Sequence, residues 1–395
     1  MSIRDKMRPL FRTLDGGLFS EKAGKADVGD AVSKLQAEGG TLMCWADPFY
    51  PDRVIPQKVL ERSVEVIQQG VACHYTPPIG NADLKEVIAK KIERDNHIKV
   101  NPQRNIIINP GSDVGLYFAM TPFIEPGDEV LVHDPSYPSN FLDPQLLNGV
   151  VVKVPTYEED NYRLRVEEYE KRLTPKTKMV LLSSPNNPTG RVFTREELTE
   201  LSQFIIKHDL ICVCDQAFED TAFPGHEMVT MASLPGMWER TVSCSSLSKT
   251  YSITGWRLGY AIAPKPIMDR IKQYHDFNTV GAPSPLMEAA VVGLDMPDSY
   301  YKEFGDHYAH MKKLFTDGLK QIGIPFTDPQ GAYFVLADIG PYLRKGESDV
   351  DFCLEMAEKV GVACVPGTSF FNENVNNIVR VHFAKKDETL YEALD

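Results

Sequence analysis

Short β-branched runs alternate with longer amphipathic stretches along most of the chain, the pattern of an α/β protein. The runs NIIIN (105–109), EVLVHD (129–134), VVVKVP (150–155), KMVLLSS (178–184), LICVCD (210–215), RTVSCS (240–245) and LGYAIA (258–263) read as strands. Several are apolar throughout, as strands covered on both faces are, so the sequence predicts a mostly parallel seven-stranded sheet. The stretch from Thr194 shows how the strands connect. Thr194 and Glu197 form a capping box, Leu198, Leu201 and Ile205 line one face, and a strand follows at Leu210. Beyond residue 290 the pattern changes to a long polar amphipathic helix (299–322), then AYFVLA, a helix (350–360), VACVPG and NIVRVHFA. This predicts a smaller α+β domain joined by part of the N-terminal segment. The expected division is 1–45 for an N-terminal arm and part of the small domain, 46–290 for a large ligand-binding domain, and 291–395 for the small C-terminal domain.

Composition narrows the partners. A chain of 395 residues, 43% hydrophobic and 25% charged, buries a large core. Its net charge of −13 repels nucleic acid and anionic membrane surfaces, so an anionic ligand must be met by a local site. A small-molecule partner fits best. The seven cysteines are odd in number and scattered; Cys212 and Cys214 alternate onto one strand face, which suits no zinc spacing, so no metal is expected. Reduced thiols, the absence of any apolar run near the roughly 20 residues a bilayer requires, and a start, MSIRDKMRPLFRTLDG, without a signal-peptide core together predict a cytoplasmic protein.

The chemistry-bearing residues cluster at predicted strand ends, where doubly wound sheets place ligands. NPGSDVGLYFAM sets Gly111 and Ser112 where a strand turns into a helix, which is either an ordinary capped turn or an anion site. SSPNNPTG (183–190) is a turn composition, in which a cis bond at Asn187–Pro188 would aim Asn187 into a cleft. Asp215 closes LICVC and either caps a turn or faces a cationic ligand group. In SCSSLSKTYSITGWRLGY (243–260), Ser246 and Ser248 supply donors beside Lys249, Arg257 supplies a fork suited to an anion, and Gly255 and Gly259 allow close backbone approach. One cofactor uses all of these. Pyridoxal phosphate needs a lysine for a Schiff base, an acid for its pyridine nitrogen, a donor for its ring oxygen and several donors for its phosphate.

At these residues the sequence resembles the class I and II aminotransferases, the fold-type I pyridoxal-phosphate enzymes of the aspartate aminotransferase superfamily. The resemblance runs from about Leu42 to the last residue. SLSKTYSITGWRLGY is similar to the family's lysine signature, and SPNNPTG and CDQAF fall where the family keeps its Asn-Pro turn and its aspartate. The resemblance implies that Lys249 binds the cofactor covalently, Asp215 pairs with the pyridine nitrogen, and Asn187 donates to the ring oxygen while contributing to the substrate site. It places the phosphate among Gly111, Ser112, the Asp113 N–H, Ser246 and Arg257, and the stacking ring at Tyr137. Tyr75 would reach the neighbouring subunit's phosphate in a homodimer with shared sites, and Arg380 would clamp the carboxylate of an amino acid or 2-oxo acid.

Three departures from the family pattern bear on the site. Phe218 stands where a tyrosine usually donates to the ring oxygen, Asp113 replaces a hydroxyl or amide residue, and Ala46 in CWADPFYP replaces a glycine at the pocket floor. Arg53 is a second clamp candidate. The activity implied is transamination, with Lys249 as the proton-transfer base. A β-lyase, decarboxylase or racemase on the same scaffold is the alternative within enzymes. A cofactor-binding regulator is disfavoured, because such proteins carry an added basic DNA-binding domain for which this acidic chain has no spare length.

Overall fold

A computed structural model of the protein describes residues 6–13, 30–52, 54–371 and 375–395. Thirteen strands are labelled in chain order: β1 (Thr41–Leu42), β2 (Ile106–Asn109), β3 (Glu129–Asp134), β4 (Val150–Pro155), β5 (Thr177–Ser183), β6 (Ile211–Gln216), β7 (Thr241–Ser246), β8 (Gly259–Ile262), β9 (Phe326–Thr327), β10 (Phe334–Asp338), β11 (Val362–Ala363), β12 (Val365–Pro366) and β13 (Ile378–His382). Strands β2 to β8 are the seven expected from the sequence. They form one sheet in the order β2-β8-β7-β6-β5-β3-β4, parallel except for β8, which runs antiparallel to both neighbours.

Helices cover both faces, which is why the central strands are apolar at consecutive positions. Val130, Val132, Met179, Leu181 and Val213 pack on one side with the helix Ser112–Met120. Leu131, Val180, Leu182, Cys212 and Cys214 pack on the other with the helix Arg195–Lys207. Cys212 and Cys214 do share a face, with their sulfurs 3.6 Å apart. The Thr194/Glu197 capping box is present, and Leu198, Leu201 and Ile205 are fully buried against the sheet. Fully burying an aliphatic side chain stabilises by roughly 1.5–3 kcal/mol, so this stripe fixes the helix in place.

The second layer is an antiparallel sheet in the order β12-β13-β10-β9. The long helix Asp298–Ile322 buries Tyr308, Met311, Phe315 and Leu319 at helical spacing and ends on Gly323 in the left-handed conformation. The helix expected at 350–360 is α-helical over Asp349–Glu355 and then widens to a π turn over Met356–Val360, closed by a Gly361 N–H bond to the Met356 carbonyl. From the other end of the chain, β1 pairs in parallel with β11. Among the described residues no helix is long and apolar enough to cross a membrane, and no group of side chains could hold a metal ion.

Candidate active site

Because β8 is antiparallel to both β2 and β7, the remaining six strands point the same way and their carboxyl ends share one edge of the sheet. The loops leaving that edge, with Ala46 from the N-terminal segment, enclose a cavity lined by Ala46, Ser112, Asp113, Tyr137, Asn187 and Asp215, and closed by Ala217, Phe218 and Lys249. Eight of the residues singled out in the sequence therefore meet in one place.

Asp215, in β6, accepts the Ala217 N–H at 3.1 Å and the Ser183 hydroxyl at 3.3 Å. Burial raises its pKa to about 6, against the lowering effect of the Ala217 N–H. Lys249, just past β7, donates to the Ala46 carbonyl at 2.7 Å. Burial lowers its pKa to about 8, partly opposed by the charges of Asp113 and Asp47. The cavity thus sets an acid and an amine, both shifted toward neutral pH, in its walls. Asn187–Pro188 is cis, as the sequence suggested. Phe218 packs edge-on against Tyr333 and Phe334, and the Lys249 ammonium lies 5.8 Å from its ring centre.

The turn after β2 is tighter than a serine-capped one. Gly111, at φ +92°, is the N-cap, and Ser112 is the first helical residue, with no side-chain cap. A Cβ at Gly111 would lie 2.2 Å from the Arg257 guanidinium, and one at Gly259 would lie 2.7 Å from the Ser112 nitrogen. Both glycines therefore let Arg257 and the turn's N–H groups close on one point. Gly255 has nothing within 4 Å of such a Cβ, so the close approach expected there is absent. Asp113 lines the cavity, and its carboxylate lies 3.5 Å from Arg257. Ser246 is buried and accepts the Ser248 N–H at 3.1 Å; it is not among the residues that line the cavity.

A second cavity, of about 330 Å³, adjoins the first and shares Ala46, Tyr137 and Asn187 with it. Its cation is Arg380, from β13, 5% exposed. The guanidinium donates to Asn187 Oδ1 at 2.9 Å and to the Cys44 carbonyl at 2.6 Å, and lies between the rings of Phe334 and Phe370 at 4.3 and 4.7 Å. Among the described residues no carboxylate pairs with it, and burial lowers its pKa to about 10. Because Asn187 Oδ1 is taken by the guanidinium, its NH2 group is the part left for the first cavity.

The sequence reading missed what holds the segment Cys44–Tyr50 between the two sheets. Lys249 and the Tyr333 hydroxyl (3.1 Å) both donate to the Ala46 carbonyl, and Lys385 donates to the Tyr50 carbonyl at 2.6 Å. His382 Nδ1 accepts the Ala384 N–H, so its Nε2 carries the proton and donates to the Asp47 carbonyl at 3.0 Å. Only the polar or aromatic character of Tyr333, just before β10, and of His382, the last residue of β13, could have signalled them. Tyr75 is in neither cavity; it is 93% exposed. Arg53 lies outside the described residues.

The family described as aminotransferase class I and II matches residues 43–395. An aromatic-amino-acid aminotransferase of Thermococcus litoralis is 33% identical over 87% of this chain and 88% of its own, and an aspartate aminotransferase of Pyrococcus abyssi is 33% identical with the same coverage. A solved structure of Escherichia coli YbdL, described as a methionine aminotransferase, superposes with a TM-score of 0.89 over 98% of each chain at 27% identity. The lyase, decarboxylase and racemase alternatives find no support among these relatives. Matched over nearly its whole length, the chain belongs to the class I and II aminotransferases, pyridoxal-phosphate-dependent enzymes that exchange amino groups between amino and 2-oxo acids.

Proposed function

We propose that this enzyme transfers the amino group of an L-amino acid to a 2-oxo acid with pyridoxal 5′-phosphate held in the Lys249–Asp215 cavity. Arg380 carries the reading. A guanidinium buried on neutral acceptors alone is costly unless an anion completes it, and it opens on a cavity contiguous with Lys249. A substrate carboxylate supplies the missing charge in the planar, two-pronged geometry that arginine favours.

The residues present fit the cofactor. Arg257, Ser246 and the N–H groups after Gly111 suit its phosphate; Asp215 suits the ring nitrogen; the Asn187 NH2 suits the ring oxygen; Tyr137 suits the ring face. When bound, the cofactor supplies the electron sink that makes the substrate α-hydrogen acidic. Lys249, with a pKa near 8, has a fraction of neutral amine at physiological pH, the form that attacks a carbonyl and takes a proton. Arg380 holds the α-carboxylate so that the α-hydrogen faces Lys249 Nζ. The Ala46 carbonyl, fixed by Tyr333, orients that amine before substrate enters.

A second copy of the chain belongs to the same proposal. Tyr75 is 93% and Phe277 88% exposed, Val280 is also exposed, and Gly281 packs near Pro78, which brings these apolar groups to one surface. Leu60, Val64 and Ile67 form a further exposed apolar stripe on the helix Gln57–Gln68. A patch of this kind fits a homodimer in which Tyr75 serves the partner's phosphate site. The small-molecule substrates and the absence of disulfides among the described cysteines support a cytoplasmic enzyme without nucleic-acid partners.

The test follows nitrogen. With a ¹⁵N-labelled amino donor and an unlabelled 2-oxo acid, mass spectrometry should find the label in a new amino acid, and Lys249→Ala should not produce it. Release of labelled ammonium or of a decarboxylated amine would overturn the reading. Mixing Lys249→Ala with Tyr75→Ala should restore part of the activity through hybrid dimers; a fully active monomer in sedimentation would exclude shared sites.

A further inference from the structure

The cavity beside Arg380 also has a chemistry of its own, which rests on the transamination reading and extends it to the donor. We propose that the enzyme selects amino acids with uncharged, apolar side chains, aromatic or long aliphatic, and that Asp47 turns away dicarboxylic ones.

Arg380 is the only cation in the cavity wall among the described residues. Once it holds the α-carboxylate, a distal carboxylate would meet no second cation among the described residues of this wall, and burying it unpaired costs several kcal/mol in a site shielded from water. The other cations nearby are committed elsewhere. Lys385 donates to the Tyr50 carbonyl and does not line the cavity, and Arg257 stands at the Gly111 turn.

The wall itself carries a negative group. Asp47 lines the cavity and accepts the Thr254 hydroxyl at 2.7 Å. That bond holds the carboxylate in the wall by a neutral donor; its charge acts on Lys249 and Lys385 from a distance, and among the described residues no cation forms an ion pair with it. Its backbone is held as well, by the His382 bond to the Asp47 carbonyl.

The rest of the lining is apolar and flat. Apart from Asn187, which Arg380 engages, it consists of Trp45, Tyr137, Pro138 and Phe370 with the small Cys44 and Ala46. Trp45 is braced edge-on by Tyr50 at 5.7 Å, and Phe370 is held over the Arg380 guanidinium. Such walls gain from apolar area and from ring–ring contact, and offer a distal charge nothing. A volume of about 330 Å³ accommodates a benzyl or thioether side chain next to the α-carbon.

The holoenzyme tests this in single half-reactions, each with one donor and each read by loss of the bound cofactor's visible absorbance. Phenylalanine or methionine should react at least about 100-fold more efficiently than aspartate or glutamate, the factor expected for burying one unpaired charge. In competition, 3-phenylpropanoate should bind more tightly than succinate. Asp47→Asn should raise the aspartate-to-phenylalanine efficiency ratio about tenfold, because the repulsion goes and the apolar walls stay, while any effect through Lys249 is common to both donors. Aspartate or glutamate reacting as well as phenylalanine, or succinate binding as tightly as 3-phenylpropanoate, would overturn the proposal, as would an unchanged donor ratio in a folded Asp47→Asn enzyme. Transfer from aspartate alone would sink the donor class and leave transamination standing; transfer from no donor would sink both.

Discussion

The two adjoining cavities share Ala46, Tyr137 and Asn187, yet they are assembled in different ways. In the Lys249 cavity the chemical groups sit on or just after five of the six strands that point the same way: Ser112 after β2, Tyr137 after β3, Asn187 after β5, Asp215 in β6 and Lys249 after β7. A parallel sheet aligns such positions for nothing more than its own hydrogen bonding. In the Arg380 cavity the groups come from opposite ends of the chain, and Arg380 reaches the Cys44 carbonyl across 336 positions. One site is a consequence of the fold's regular part. The other depends on a few buried donors that fasten an N-terminal segment to the second sheet.

If this division of labour is right, variants should damage one cavity and spare the other. The largest effect is expected for Lys249→Ala, which removes the covalent anchor and the proton-transfer base together. Turnover should fall by at least about 10⁴-fold and the bound cofactor's visible band should vanish. Near-normal steady-state activity would break the comparison at its first term.

Arg380→Lys should act on the other cavity alone. Lysine keeps a charge and loses the fork that joins Asn187, Cys44 and the substrate, so kcat/KM should fall by the equivalent of about 2–5 kcal/mol with the cofactor band intact. Loss of cofactor with substrate affinity retained would show that the two cavities are one structural unit.

A third variant sharpens the contrast through stability. Lys249 is held in the folded protein with a pKa near 8, below the roughly 10.4 of an unfolded lysine. Between these values the unfolded chain binds more protons, so this group's contribution to stability rises with pH over that window and is at its most unfavourable below it. In the cofactor-free protein Lys249→Met should therefore raise the melting temperature at pH 7, by the equivalent of about 3 kcal/mol at most. The gain should shrink as pH rises from 8 toward 10.4. A gain independent of pH would assign it to packing instead.

The smallest effect is expected at Phe218. A hydroxyl added by Phe218→Tyr in the wall beside Lys249 should lower the pH at which the bound cofactor's visible band fades and tighten cofactor retention by about 0.5–1.5 kcal/mol. An unchanged band titration with a lower melting temperature would mean that the new hydroxyl meets only the rings of Tyr333 and Phe334.

Much of the first cavity could be read from the chain. The seven strands, the strand-end positions of Asn187, Asp215 and Lys249, and the approach at Gly259 follow from apolar periodicity and local spacing. The misreadings there are of detail. Ser112 was expected as a possible cap where Gly111 serves, and Gly255 was expected to permit a contact that does not exist. Each turns on a side-chain direction or a φ angle, which the pattern of residue types does not specify. Tyr75 was assigned to a site that its own subunit does not contain, and its exposure is compatible with that assignment without testing it.

The sequence by itself determined the sheet, the order of chemical groups along its edge and the lysine signature, because period-two and period-3.6 patterns encode which face of an element is buried. Only the tertiary structure decided that Arg380 would be buried without a carboxylate, that Asn187 would turn its oxygen to it, and that Asp47 and Thr254 would meet in the cavity wall. These outcomes depend on long-range bonds to the carbonyls of Cys44, Ala46, Asp47 and Tyr50. Every residue carries a backbone carbonyl, so nothing in the identity of the acceptor announces the contact; the packing of two sheets against one segment has to choose it.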